Sequence, residues 1–131
     1  MKKFLSILII LFVSSFVFAE QRYASVRIRD WSFTKAGSGE TVAKEIRNFL
    51  SKGYIEVISY DSEQECLLVM YDTSKPTSQK VISVRFHDWS FTKGGSGESV
   101  IKLIKENIGN KKVSCFTYDS KQECVIIVYE N

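Results

Sequence analysis

The residues best suited to chemistry sit in one phrase that occurs twice, DWSFTKAGSGE at residues 30–40 and DWSFTKGGSGE at residues 88–98. Each copy holds two carboxylates, Asp30 and Glu40 or Asp88 and Glu98, which in principle form an acid/base pair. Each also holds Gly-Ser-Gly at a helix start, where free N–H groups can bind a phosphate or carboxylate with Lys35 or Lys93 as counter-charge. The aromatic pair Trp31 and Phe33, or Trp89 and Phe91, offers a shelf on which a sugar ring, a planar ligand or a peptide side chain could stack.

These three chemistries do not stand equally. Ser38 and Ser96 can accept from the first free N–H groups of a helix, Gly39 and Gly97 permit an unusual turn, and Glu40 sits well at the positive end of the helix dipole. A helix cap therefore accounts for GSGE without a ligand. The phrase lacks the Gly-x-x-x-x-Gly-Lys-Ser/Thr of a P-loop, and Glu40 would repel an anion. Capping and strand-end roles also account for the carboxylates, which makes a small hydrolase the lesser alternative. What stays unexplained is the corner Trp31, Phe33, Lys35, Trp89, Phe91 and Lys93, the candidate contacts for a ligand or partner. The competing role for its rings is to plug the junction between modules.

Other reactive residues add little. His87, the only histidine, is matched by Arg29 in the first copy, so a triad or histidine-bearing metal site could exist in one half at most. The acidic run Asp61, Glu63, Glu65 lacks the length and glycine of a calcium loop and reads as a turn. No enzyme activity, cofactor or metal is expected.

Residues 1–19, MKKFLSILIILFVSSFVFA, place Lys2 and Lys3 before an apolar run and end in Val-Phe-Ala, the pattern of a secretory signal peptide cut after Ala19. The run is shorter than the ~20 residues that span a bilayer. Removing it lowers the formal charge from +3 to +1, which leaves no electrostatic footprint for nucleic acid. The chain is expected in the periplasm or outside the cell, soluble and without a membrane span. In that compartment disulfides can persist, and the three cysteines leave at least one thiol free or paired with another chain.

The elements that position these residues come from an internal duplication. A shift of 58 positions aligns residues 26–72 with 84–130 without a gap, and 22 of the 47 pairs are identical. YASVRIRDWSF and VISVRFHDWSF alternate as strands, whereas GETVAKEIRNFLSKG carries Val42, Ala43, Ile46, Phe49 and Leu50 on one helical face. YIEVISYD and ECLLVMYD read as two strands joined at residues 61–64, and the second copy repeats them. Residues 20–72 and 80–131 are thus two βαββ modules of the α+β class, joined by a linker at residues 73–79 that is too short to hold them apart.

A right-handed strand–helix–strand unit leaves its two strands parallel, and the third strand fits between them antiparallel to both, giving strand order 1-3-2. The apolar runs CLLVMY and CVIIVY suit a central strand covered on both faces, by the helix and by the sister module. One pseudo-twofold domain is expected. In that frame Cys115 and Cys124 lie near each other across a hairpin and form the favoured disulfide, with Cys66–Cys124 across a twofold axis as the alternative.

The order of elements resembles that of dodecin, of small exported enterobacterial stress proteins, and of the duplicated effector-binding domains of the gyrase-inhibitor type. The resemblance is one of topology across the mature chain and implies a curved sheet with a groove between halves where small ligands bind. Together these readings describe an exported, non-enzymatic binding module. Its partner would be a small molecule, a glycan or an envelope protein; the alternative is a structural or homo-oligomer-forming envelope protein.

Overall fold

The computed structural model describes residues 20–29, 35–86 and 93–131, with side chains at 35–38 and 93–96 excepted. Eight elements follow one another: β1 (Gln21–Arg27), α1 (Lys35–Leu50), β2 (Tyr54–Asp61), β3 (Cys66–Asp72), β4 (Gln79–Arg85), α2 (Lys93–Ile108), β5 (Val113–Asp119) and β6 (Cys124–Glu130). They form two three-stranded antiparallel sheets, ordered β1-β3-β2 and β4-β6-β5, with one helix per module. The right-handed crossover rule and the apolar central runs were enough to anticipate this order.

Local chemistry sets the element ends. α1 closes where the Lys52 and Gly53 N–H groups both donate to the Phe49 carbonyl, and Gly53 then packs on the Asp72 backbone, where a Cβ would come within 2.5 Å of the carbonyl oxygen. α2 closes differently, on Gly109 at φ +63, the left-handed position that glycine adopts without a Cβ penalty. In each hairpin Asp61 or Asp119 accepts from N–H groups of the turn, and Glu65 or Glu123 takes a positive φ just before the central strand.

The hairpin connections are residues 62–65 and 120–123, one position later than the sequence suggests. That shift decides the cysteines. Cys124 pairs with Asp119 and Cys115 with Val128, so the two lie on one face but four residues apart along the ladder, about 13 Å. Cys66, Cys115 and Cys124 are all free, and neither anticipated disulfide forms. A bulge in each module, between Ile55 and Val57 and between Val113 and Cys115, also interrupts the simple alternation of β2 and β5.

Each helix covers one face of its own sheet. Val42, Ile46 and Phe49 of α1 pack with Ile55, Ile58, Leu67, Val69 and Tyr71, and the Phe49 and Tyr71 rings lie 5.4 Å apart. In the second module Val100, Ile104 and Ile108 of α2 pack with Phe86, Val125 and Ile127. Burying each such side chain contributes about 1.5–3 kcal/mol.

The modules meet in one direction only. α1 lies against its own sheet on one side and against β4 and β6 on the other, where Val81, Cys124, Ile126 and Val128 join the same core. Along the seam the backbone of Ile58 bonds the Cys115 thiol, the Tyr60 N–H donates to Thr117 Oγ1 at 3.0 Å, and the Ser62 N–H donates to Asp119 Oδ2 at 2.8 Å. The partners advance together, so β2 and β5 run parallel where the sheets converge.

A twofold would bury equivalent positions equally, and the expected pseudo-twofold exchange does not hold here. Positions 58, 60 and 62 of the first module meet the counterparts of 57, 59 and 61 in the second. The layers therefore run sheet, helix, sheet, helix. Among the described residues only β6 is covered on both faces as the sequence suggests; on β3, Leu68 is exposed and Met70 half-buried.

Candidate functional site

Among the described residues, nothing covers the side of the first sheet turned away from α1, whereas the matching side of its sister is covered. Strand register places Tyr23, Met70 and Val57 side by side across three strands, with Ser25, Leu68 and Ser59 in the next row. Tyr23, Val57 and Leu68 are exposed, although each is large and apolar. They line a concavity of about 300 Å³ together with Met70 and Ser59. A patch of this kind on a small chain marks a contact surface more often than an accident of composition.

Its rim is polar. Gln21 Nε2 donates to Glu56 Oε2 at 2.8 Å, and Lys75 Nζ lies 3.2 Å from the other oxygen of the same carboxylate. At the opposite end Arg27 pairs with Glu65 at 3.4 Å. The bulge is what brings Glu56 to this edge, since the inserted residue stands between inward-facing Ile55 and outward-facing Val57.

A larger concavity of about 440 Å³, between the hairpin tips, is lined by Asp61, Ser62, Asp119 and Lys121 among others. Its deepest group already has a structural task. Asp119 is buried and accepts from the Ser62 N–H, the Ser62 hydroxyl and the Gln122 N–H, each at 2.8 Å. Gln79 acts likewise at the other end of the seam, donating to the Ile55 carbonyl and accepting from its N–H.

The sequence-derived candidates divide. Trp31, Phe33, Trp89 and Phe91 lie outside the described residues, as do Asp30, Asp88 and His87. Lys35 and Lys93 open α1 and α2, so Ser38 and Ser96 fall inside the first turn instead of at the cap. Gly39 also has a different task from the one expected. It is buried where α1 crosses β4, and a Cβ there would collide with Ser83 Oγ and come within 3.3 Å of the Cys124 Cβ. Gly97 in the second copy has none of the described residues within 4 Å of such a Cβ.

Glu40 and Glu98 are both exposed on their helices. Burial pushes the Cys115 thiol up to about 11 and the Cys124 thiol up to about 12, so neither is a nucleophile near neutral pH. No group of three or more His, Cys, Asp or Glu among the described residues could hold a metal ion.

The groove between halves implied by the topological likeness is occupied by α1. The open face was missed because Leu68 and Met70 carry the same apolar signal as Ile126 and Val128, which are buried. The signal that could have found it was the second alternating apolar set on β3, with Tyr23 and Val57 flanking it. No family model, curated protein or solved structure matches the chain.

Proposed function

We propose that this chain is a small, exported, non-enzymatic interaction module whose contact surface is the open face of the first sheet. The observation that carries the reading is the adjoining exposure of Tyr23, Val57 and Leu68 on a concave, apolar sheet face with a polar rim. A protein partner suits it better than a small solute, because the surface is broad and few polar groups converge on its centre. Export rests on residues 1–19, whose basic start, apolar run and Val-Phe-Ala ending form a signal peptide. Among the described residues no helix is long and apolar enough to cross a membrane.

The strand-to-helix segments with Trp31, Phe33, Lys35, Trp89, Phe91 and Lys93 are the other proposed contact, supported by their repetition. The sheet face ranks above them because its apolar side chains are exposed and adjoin one another.

A photoreactive residue placed at Leu68, and as a control at exposed Asn110, tests the reading in the producing cell. A discrete covalent adduct is expected from position 68 and none from position 110. No adduct at either position, or equal adducts at both, would count against the sheet face.

A further inference from the structure

We infer that the partner of the open face is a second copy of this chain, which docks through α2 and β5 and repeats the seam that joins the two modules. This rests on the face being an interaction surface and names what occupies it.

The exposed apolar side chains carry the inference. Among the described residues the large exposed ones are Tyr23, Val57 and Leu68 in the first module and Ile101, Phe116 and Tyr118 in the second. Moved by 58 positions, every one lands at the seam. Leu68 is 50% exposed and its counterpart Ile126 0%; Ile101 is 52% exposed and its counterpart Ala43 0%; Phe116 is 51% exposed and its counterpart Ile58 4%. Tyr23 and Tyr118 correspond in the same way to buried Val81 and Tyr60, and Val57 to half-buried Cys115.

The two sets are not mixed. The first three belong to the sheet face that receives a helix, and the last three to the helix and strand edge that are received. Each module therefore carries one exposed half of the seam. Contacts that run one way, from one surface to a different one, repeat as a ring or an open chain of copies and do not close as a twofold dimer.

Polar and backbone features repeat with them. Ser62 donates to Asp119 within the chain, and the shifted pair is Ser120 of one copy with Asp61 of the next, both exposed. Gly39 lets α1 approach Ser83 and Cys124; Gly97 has nothing within 4 Å, and the groups it would approach are Ser25 and Cys66. A glycine kept open in a helix weakens that helix, and close approach to a neighbouring copy supplies the reason for it.

The shifted seam specifies a cross-link. Because a Cβ at Gly39 would lie 3.3 Å from the Cys124 Cβ, a cysteine at position 97 of one copy would face Cys66 of the next at near disulfide spacing. Purified Gly97→Cys/Ser25→Ala protein, in which the hydroxyl that the new Cβ would meet is removed, should when oxidised with diamide give disulfide-linked dimers and larger species that disappear once Cys66→Ser is added. Equal cross-linking with and without Cys66, or monomer alone, would overturn self-docking. The adduct from position 68 separates the two failures. An adduct whose mass differs from a multiple of this chain would overturn self-docking while leaving the face as a contact surface, and no adduct would overturn both.

Discussion

Replacing Gly39 and Gly97 by alanine, one at a time, should move stability in opposite directions although the two glycines stand in the same phrase, Gly-Ser-Gly-Glu. In a helix, alanine is favoured over glycine by about 0.8–1 kcal/mol. At Gly97, where a Cβ meets nothing within 4 Å, that gain should appear nearly whole. At Gly39 the Cβ collides with Ser83 Oγ, which can rotate away, but it also comes within 3.3 Å of the Cys124 Cβ and 3.4 Å of the Ser83 Cβ, which cannot. Overpacking of this kind costs about 1–3 kcal/mol, so the net effect is a loss of roughly 1 kcal/mol. The two variants should differ by about 2 kcal/mol, or on the order of 8 °C in midpoint for a chain this size. Thermal and urea unfolding followed by far-ultraviolet circular dichroism on dilute protein reads the difference directly. Adding Ser83→Ala to Gly39→Ala should recover part of the loss. Equal stabilisation by both alanines would refute the packing of α1 against β4, and with it the one-way seam.

Four further outcomes follow from named groups. Folded protein diluted to monomer should react quickly with iodoacetamide only at Cys66, and all three thiols should react in urea; fast labelling of Cys124 in the fold would contradict its burial. Because burial raises Cys115 to about 11 and Cys124 to about 12 from 9.0, their neutral forms favour the fold. That contribution is whole below pH 9.0 and is lost between pH 9.0 and about 11–12, so urea midpoints should fall across that window and fall less in Cys124→Ala. Asp119→Ala should cost about 2 kcal/mol, because it leaves three half-buried donors of Ser62 and Gln122 without their acceptor, whereas Asp61→Ala should cost under about 1 kcal/mol in the monomer; equal losses would contradict the seam. Glu65→Gly and Glu123→Gly should each raise stability by up to about 1 kcal/mol by relieving a positive φ, measured by the same unfolding curves, and a loss at both would contradict the turn geometry.

Much of each module could be read from the sequence because its determinants are local. The period of Val42, Ile46 and Phe49 marks a helix, and the apolar run Cys124 to Val128 marks a central strand; strand order then follows from handedness. The hairpin register was not legible. It depends on Glu65 and Glu123 taking a positive φ that glycine or asparagine usually signals, and the resulting one-residue shift moved Cys115 away from Cys124. The arrangement of the modules was hidden for a different reason. Leu68 and Ile126 are near-equivalent residues in the same motif, and their burial differs because α1 packs on the sheet that holds Ile126, while among the described residues no helix packs on the face that holds Leu68. No local pattern records that difference.

The one-way seam and its repetition between copies are tested most directly by mixing two broken halves. Leu68→Asp spoils the receiving face and Ile101→Asp the received helix, each weakening its end by at least about tenfold through the loss of a buried apolar side chain. Sedimentation velocity should then show concentration-dependent association for the unaltered protein, monomers for each variant alone, and dimers that grow no further for an equal mixture, because one intact receiving face and one intact helix remain to pair. A mixture that stays monomeric while the unaltered protein associates, or single variants that associate as fully as the unaltered chain, would contradict the account.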